Sequence, residues 1–347
     1  MSWYDREYTF VIVICEFKTC ACTLYNIHSK HRQSGVRMGL NRLHGATKHL
    51  LQRDRTLADF EGWRIACDAS SWLHRSGVVH ARAFFLGSLE TKPWCSYVHD
   101  MLLELKGSNI QPIVVFDGPR RLDLKKEELG SRGEKKKKAM HQAIALEASH
   151  RIDDAEKMWM QAFSVTSEML TDVIDMVKEM EGVEYVIADY EADYEIAKMY
   201  ATGQIDACIT EDSDLVGYGV DRIIFKYCLQ TGNFDYLDCT RPYEHVTSSE
   251  GDTTMAKGHK KATLITLHNL TRDQRALLAT FMGNDYLPNP PGIGIVTVYK
   301  IVKDVGNFDD MVERLKKKRC LSCEYIDRAQ RVYDLFSLRW APHQHGG

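Results

Sequence analysis

The chain has 347 residues, of which 44% are hydrophobic and 27% are charged, a composition typical of a globular protein with a buried core. The formal net charge of −3 argues against a protein that binds nucleic acid over its whole surface, although it leaves room for a local basic patch. The sequence contains no run of 18 apolar residues, so it predicts no transmembrane segment and no membrane partner. Ten cysteines scattered through apolar stretches indicate free thiols in a reducing compartment.

The first 37 residues differ in composition from the rest of the chain. They contain three cysteines and a polar stretch, after which Met38 begins a segment that reads like a natural start. We interpret residues 1–37 as a disordered or spurious leader, with an extra strand or a targeting segment as the alternative. The remainder is predicted to form a single domain, 38–347, with successive regions 38–144, 145–285 and 286–347.

Short apolar runs alternate with helical patterns from residue 62 onward. Five runs predict strands, over 63–68, 112–117, 183–187, 206–210 and 222–226. Helices are predicted over 70–89, 94–105 and 191–201, and the chain beyond residue 270 also reads as helical. Strands that alternate with helices predict an α/β fold with a mostly parallel central sheet flanked by helices. The longest linker candidate is the polar, glycine-containing stretch 245–262.

Carboxylates follow several of the predicted strands, and two pairs of them are spaced two residues apart. The set comprises Asp68, Asp117, Glu191, Asp193, Asp212, Asp214 and Asp285. The carboxyl ends of parallel strands meet at one edge of a sheet, so these side chains are predicted to converge. Divalent cations would relieve their repulsion, and two Mg²⁺ ions roughly 3.5–4 Å apart, or Mn²⁺ in their place, are a common device for hydrolysing phosphodiesters. Any one of these acids alone would more often cap a helix or form a turn.

A basic segment follows Asp117. Between Arg120 and Lys138 there are nine Lys or Arg side chains, and the last four are consecutive. The chain from there to about residue 163 has helical spacing, which predicts a helical arch inserted into the α/β order. We interpret the arch as an arm that grips a phosphate backbone, with Lys135 and Lys136 among its contacts, and a solvated helix face is the alternative.

Two short motifs lie in the helical C-terminal part of the chain. The glycines Gly292 and Gly294 resemble those of a helix-hairpin-helix turn, where backbone N–H groups approach phosphates with no Cβ in the way. Cys320-Leu-Ser-Cys323 has the spacing of zinc ligands but no second pair to complete a site, so two ordinary thiols are preferred.

Four motifs, taken in order, resemble those of the XPG-type superfamily of 5′ nucleases, which includes flap endonuclease. They are Val114-Val-Phe-Asp-Gly118, Tyr190-Glu-Ala-Asp193, Thr210-Glu-Asp-Ser-Asp-Leu215, and Gly283-Asn-Asp-Tyr286 with the glycine turn after it. The resemblance covers 38–336, and 68–74 and 210–219 are most similar to the exonuclease-one branch. It implies a nuclear, Mg²⁺-dependent enzyme with 5′→3′ exonuclease and flap endonuclease activity. Its implied partner is DNA with 5′ ends, nicks, gaps or flaps, and no small-molecule cofactor is implied.

The resemblance also implies roles for individual residues. One metal ion would be held by Asp68, Asp117, Glu191 and Asp193, and the other by Asp212, Asp214 and Asp285. Lys125 and Arg132 match two basic residues of the family's gateway helix that polarise the scissile phosphate. Because one extra residue separates them from Asp117, Lys126 is a rival for the role of Lys125. Further positions near DNA are Gly39, His74 and Lys300.

The chain also departs from the family pattern at two places in its C-terminal part. Asn289 and Met282 stand where this branch has serines that bind a monovalent cation, so potassium is not favoured at the hairpin. The segment 330–336 faintly resembles a sliding-clamp motif but lacks the second aromatic residue, so a packed helix is expected there and clamp binding is not. Other functions kept open are a flap-only endonuclease, a Holliday-junction resolvase, an RNase, and a non-catalytic nucleic-acid-binding scaffold on the same fold.

Overall fold

The computed structural model describes Leu43 and residues 47–120, 122–242 and 265–340. The described strands are β1 (Leu51–Gln52), β2 (Arg64–Asp68), β3 (Gln111–Phe116), β4 (Glu184–Ile187), β5 (Ala207–Thr210), β6 (Arg222–Phe225) and β7 (Asp235–Asp238). The described helices are α1 (Ala69–Val78), α2 (Ala81–Phe85), α3 (Pro93–Gly107), α4 (Lys126–Ala148), α5 (Ile152–Ala162), α6 (Ser167–Lys178), α7 (Ala192–Ala201), α8 (Asp214–Gly217), α9 (Arg272–Phe281), α10 (Ile295–Val302), α11 (Phe308–Lys316) and α12 (Cys323–Phe336). The predicted leader, Gly39 and the linker 245–262 lie outside the described residues.

The chain divides into two compact units that alternate along the sequence. Among the described residues, the first unit contains 54–192 and 226–234, and the second contains Leu43, 47–53, 193–225, 235–242 and 265–340. In the first unit β3 lies between β2 and β4, and both pairings are parallel. In the second unit β5 and β6 are parallel, whereas β7 pairs antiparallel with β6 and with β1. The α/β class is confirmed, with an antiparallel part that the sequence did not predict.

The buried strands explain why the α/β pattern is visible in the sequence. In β2 every residue after Arg64 is buried, and in β3 every residue after Gln111 is buried. Strands covered on both faces read as continuous apolar runs. Helix α3 packs on β3 and also on α1 and α6, which places its apolar face in the core of the first unit.

One predicted helix is two helices in the structure. The predicted helix over 70–89 is interrupted after Val78, and α2 begins at Ala81. Val78 and Val79 are β-branched and follow Gly77, a combination with low helix propensity, and His80 departs from helical geometry with φ −107° and ψ 11°. The helices predicted over 94–105 and 191–201 are present as α3 and α7.

The predicted helical arch is present between β3 and β4, where α4 packs on α5. Glu147 at the end of α4 accepts hydrogen bonds from Arg82 Nε (2.6 Å) and from Trp159 Nε1 (3.1 Å). The Trp159 ring also stacks on Phe85 of α2, with 4.9 Å between the ring centroids. These contacts fix the far end of α4 to α2 and α5, whereas most of its basic run is exposed.

The C-terminal part of the second unit is helical, as predicted. Helix α9 packs against α8, α10 and α12. Val332, Tyr333, Leu335 and Phe336 of α12 are buried, which confirms the packed helix expected over 330–336. Each cysteine that the structure describes is a free thiol, including the exposed Cys320 and Cys323. Among the described residues, no helix has the length and apolarity needed to cross a bilayer.

Candidate active site

Two strand-end carboxylates of the first unit are connected through one serine. Asp68 is the last residue of β2 and caps α1, because its Oδ1 accepts from the N–H groups of Ser70 (3.0 Å) and Ser71 (3.3 Å). The Ser70 hydroxyl donates to Asp117 Oδ2 at 2.6 Å. The other oxygen of Asp117 accepts from the Ala192 N–H at 2.9 Å, at the start of α7. Asp68, Asp117 and the N-terminus of α7 are therefore held in one hydrogen-bonded arrangement.

A third carboxylate of this unit, Glu191, forms an ion pair with Lys125. Lys125 Nζ lies 2.6 Å from Glu191 Oε2, and the two side chains are 18% and 9% exposed. A charge pair this well shielded from water interacts more strongly than a surface pair. Lys125 itself ends a 3₁₀ turn, Asp123–Lys125, and α4 begins one residue later. The sequence placed Lys125 and Arg132 on one helix, but the structure places Lys125 at its N-cap.

Gly118 allows the loops after β3 and β4 to approach each other closely. Its N–H donates to the carbonyl of Tyr190 at 2.7 Å. A Cβ at this position would lie 2.0 Å from the carbonyl oxygen of Ala188, which no side chain could tolerate without movement of the backbone. The glycine therefore brings the residues around Asp117 next to those that precede Glu191.

In the second unit, the pair of acids after β5 forms a compact turn. Asp212 Oδ1 accepts from the Asp214 N–H at 2.9 Å, and the Asp212 N–H donates to Thr210 Oγ1 at 3.0 Å. Asp214 begins α8 and is only 3% exposed. Asp193 lies in the first turn of α7 and is half-buried.

Asn284 shapes the loop that carries Asp285. Its Oδ1 accepts from the N–H groups of Tyr286 and Leu287, each at 2.8 Å, and its Nδ2 donates to the Ala279 carbonyl at 2.9 Å. These three bonds fix the backbone on both sides of Asp285. The amide of Asn284 was not identified from the sequence, although its place directly before the acid is typical of a turn former.

The chemistry of the carboxylates fits a divalent cation. Measured over the whole residue, Asp68, Glu191 and Asp214 are 5%, 7% and 3% exposed, and buried carboxylates are costly unless they are paired, hydrogen-bonded or bound to metal. Their oxygens are the hard ligands that Mg²⁺ and Mn²⁺ prefer. Within the part of the chain that the structure describes, no three Asp, Glu, His or Cys side chains form a ready-made metal-binding group. The convergence of all seven acids stays a prediction.

The second predicted gateway residue, Arg132, is paired with a glutamate on the same helix. Its Nε forms a salt bridge with Glu128 Oε1, one turn earlier on α4, and both side chains are 22% exposed. One turn later, Lys136 Nζ lies 2.5 Å from the hydroxyl of Ser164. Burial and the nearby charge of Arg132 lower the pKa of Lys136 from its ordinary value. This face of α4 is therefore turned towards protein, whereas Lys135 is exposed.

The remaining predicted DNA contacts occupy varied surroundings. His74 is half-buried in α1 with its ring 5.8 Å from that of Phe163. Lys300 is exposed on α10, and Gly294 is the N-cap of that helix. Gly292 has φ +73°, and the guanidinium of Arg319 lies 3.1 Å from where its Cβ would be. Lys126 is the first residue of α4.

The amide of Asn289 binds carbonyl groups of the hairpin. Its Nδ2 donates to the carbonyls of Ile293 (2.9 Å) and Pro290 (3.3 Å). Met282, the other position where the related branch has serine, is fully buried. These carbonyl oxygens already accept hydrogen bonds from Asn289, and the expectation that potassium is not favoured at the hairpin stays a prediction.

Two family models match the chain. The XPG N-terminal domain matches residues 38–139 and the XPG I-region matches 182–285, and together they cover more than half of the sequence. The chain belongs to the XPG family. All seven candidate metal ligands and both predicted gateway cations lie inside the two matched segments, whereas the hairpin glycines lie beyond them.

Several proteins of this family are similar to the chain. Exonuclease 1 of Arabidopsis thaliana is 29% identical over 288 residues, which are 80% of this chain and 36% of that protein. Exodeoxyribonuclease 1 of Saccharomyces cerevisiae is 25% identical, over 77% of this chain and 35% of that protein. Flap endonuclease 1 of Cryptosporidium muris is 26% identical, over 79% of this chain and 56% of that protein. The chain thus spans about a third of the length of the exonuclease relatives it matches.

Solved structures share the fold. The catalytic core of Rad2 in complex with DNA substrate has a TM-score of 0.53 and 20% identity, over 86% of this chain and 84% of that one. Human GEN1 in complex with Holliday junction DNA has a TM-score of 0.55 and 19% identity, over 86% of this chain and 66% of that one. The likeness confirms the α/β nuclease fold predicted from the sequence motifs.

Proposed function

We propose that the chain is a structure-selective 5′ nuclease that hydrolyses DNA phosphodiesters with divalent metal ions, acting as a 5′→3′ exonuclease and a 5′-flap endonuclease. We further propose that it works in the nucleus, on DNA with 5′ ends, nicks, gaps or flaps. The observation that carries the proposal is the joined arrangement of Asp68, Ser70 and Asp117 at the ends of two parallel strands, next to the Lys125–Glu191 ion pair. Membership of the XPG family and the similarity to exonuclease 1 support it.

The carboxylates would hold the metal ions in two groups. Asp68, Asp117, Glu191 and Asp193 would hold one ion, and Asp212, Asp214 and Asp285 the other. Bound there, Mg²⁺ would supply a Lewis acid that activates water and stabilises charge on the reacting phosphate. The serine hydroxyl and the backbone N–H groups that bind Asp68 and Asp117 hold these carboxylates in fixed orientations.

Lys125 and Arg132 would stabilise the scissile phosphate. The position of Lys125 supports this role, because its ammonium lies beside the buried carboxylate of Glu191, a candidate metal ligand. A cation aimed at charge that develops in the transition state accelerates the reaction more than it strengthens binding. The contact with Glu191 also favours Lys125 over Lys126 for the role.

The test is a panel of 5′-labelled DNA substrates incubated with Mg²⁺. The panel contains a flap, a nick, a blunt end and a Holliday junction, and the lengths of the labelled products are measured. We expect mononucleotides or short products from blunt and nicked DNA and excised single strands from the flap. Matched RNA substrates give the comparison with an RNase. Cleavage of the flap alone would favour a flap-only endonuclease, and symmetric nicking of the junction would favour a resolvase.

A non-catalytic scaffold is the candidate from a different class. It would bind the same DNA substrates but leave every one of them intact in Mg²⁺ and in Mn²⁺. We favour catalysis because all seven acids of the family motifs are present. Binding without any cleavage would contradict the proposal.

A further inference from the structure

The face of α4 that carries Arg132 also carries an acidic residue with no role in the proposed reaction. Glu128 is one turn before Arg132 and Lys136 one turn after it, so the three side chains lie along one face of the helix. The Glu128 carboxylate forms a salt bridge with the guanidinium of Arg132, and both side chains are 22% exposed. A second acid–base pair on the same helix, Glu134 and Lys137, differs sharply, since its side chains are 77% and 72% exposed.

We propose that Glu128 is the positioning residue that holds Arg132 ready for the scissile phosphate. This inference rests on the proposed nuclease function. An arginine side chain has many rotamers, and a reacting group contributes most when its geometry is fixed before the substrate arrives. A glutamate one helical turn away restricts Arg132 without contacting the DNA itself.

The position of Glu128 alone suggests a simpler role. It lies in the first turn of α4, where any carboxylate interacts favourably with the helix dipole. The two roles differ in what they need from the side chain. The dipole needs the negative charge, which aspartate also has, whereas positioning needs an acceptor at the length of a glutamate, which glutamine also has.

The experiment measures single-turnover cleavage of a 5′-flap substrate, together with its equilibrium binding, for Glu128→Ala, Glu128→Gln and Glu128→Asp. We expect Glu128→Ala and Glu128→Asp to slow cleavage by about 10-fold or more, as small misplacements of reacting groups do, and Glu128→Gln to stay within about twofold of the unmodified protein. DNA affinity should be unchanged or slightly higher in Glu128→Ala, because a negative charge is removed. Glu134→Ala is the matched control and should leave the rate unchanged.

A double-mutant cycle tests whether Glu128 acts through Arg132. When Arg132 is already replaced by alanine, adding Glu128→Ala should lower the cleavage rate by less than about twofold, because the residue that Glu128 positions is gone. The NMR signal of the Arg132 Nε–H group gives a readout that needs no cleavage. The signal should be protected from solvent exchange in the unmodified protein and in Glu128→Gln, and lose its protection in Glu128→Ala. Thermal unfolding identifies any variant that fails to fold.

The outcomes separate this inference from the proposed function. A rate for Glu128→Ala equal to or above that of the unmodified protein would overturn the positioning role, as would additive losses in the cycle. If Glu128→Asp kept the unmodified cleavage rate and Glu128→Gln did not, Glu128 would act through the helix dipole, and the positioning role would again be overturned. Absence of cleavage by the unmodified protein would overturn the proposed function, and this inference with it.

Discussion

Among the glycines that the structure describes, Gly118 is the one where an added Cβ would come nearest to another atom. The carbonyl oxygen of Ala188 lies 2.0 Å from where a Cβ would be, and the Gly118 N–H donates to Tyr190. Gly118→Ala must displace the backbone between β3 and β4, and we expect a loss of more than about 2 kcal/mol in the free energy of unfolding. Cleavage should fall as well, because Asp117 and Glu191 flank the contact. Denaturant unfolding followed by circular dichroism measures the first effect.

Gly130 provides the matched control on α4. A Cβ there would meet no atom within 4 Å, and the residue is inside a helix. Gly130→Ala should therefore raise the free energy of unfolding, by about 0.5–1 kcal/mol. Equal destabilisation by the two substitutions would contradict the close approach at Gly118.

Lys125 should act on the chemical step more than on binding. Removing an oriented cation from a reacting phosphate typically costs a few kcal/mol, so Lys125→Ala should slow single-turnover cleavage roughly 10²-fold with little change in flap affinity. The same substitution at Lys126 should have a much smaller effect. A larger loss at Lys126 than at Lys125 would reverse the assignment. Unfolding curves are needed beside the rates, since Lys125→Ala leaves the buried Glu191 without this partner.

Asn289 should make DNA binding by the hairpin independent of potassium. Its amide donates to the carbonyls of Ile293 and Pro290, so these oxygens are already hydrogen-bonded without a cation. We expect equal affinity for duplex DNA in potassium chloride and in tetramethylammonium chloride of the same ionic strength. A fall in affinity without potassium would show that a cation binds there after all.

The outcome for individual residues shows what a motif can and cannot predict. The sequence identified Asp68 as a candidate ligand, and the structure shows that it also caps α1, the role considered more common for a lone strand-end acid. Ser70, which links Asp68 to Asp117, was missed because a serine at the start of a helix is usually only a capping or turn residue. The partner of Arg132 was missed because i,i+4 pairs of acids and bases are frequent on solvated helices.

At the scale of elements, the basic run of α4 has one member that differs from the others. Lys135, Lys137 and Lys138 are exposed, whereas Lys136 binds Ser164 and is partly buried. If the exposed lysines contact phosphates, replacing all three with glutamine should flatten the slope of log affinity against log salt by up to about 3 units. Lys136→Gln is the matched single change and should alter the slope little. An unchanged slope in the triple variant would mean that these lysines only solvate the helix.

Elements were predictable where burial imposed a pattern. β2 and β3 are buried along almost their whole length and read as apolar runs, and each was located to within a residue or so. β1 has only two residues and β7 contains an acid at each end, so neither could be recognised. Their place depends on pairing with strands distant in sequence, which local composition does not encode.

At the scale of the whole molecule, family membership could be predicted because its motifs occur in order within two separate segments. The division into two units could not, because each unit is assembled from stretches that alternate along the chain. Because the candidate ligands come from stretches that are distant in sequence, their residue types and local spacing could be read from the sequence. The distances between their side chains in the folded protein could not. Residues 68, 117 and 191 are far apart in sequence, and they are brought together by the folded strands, by Ser70 and by the hydrogen bond from the Ala192 N–H to Asp117.

Asp212→Asn tests most directly whether the carboxylates of the family motifs carry metal-dependent cleavage. The asparagine keeps an oxygen that can accept from the Asp214 N–H, so the turn should fold as before. We predict that this variant binds a 5′-flap substrate like the unmodified protein, unfolds at a similar temperature, and has a single-turnover cleavage rate in Mg²⁺ lowered by roughly 10²-fold or more. A folded Asp212→Asn protein that keeps about a tenth of the unmodified rate or more would contradict the metal-ligand assignment.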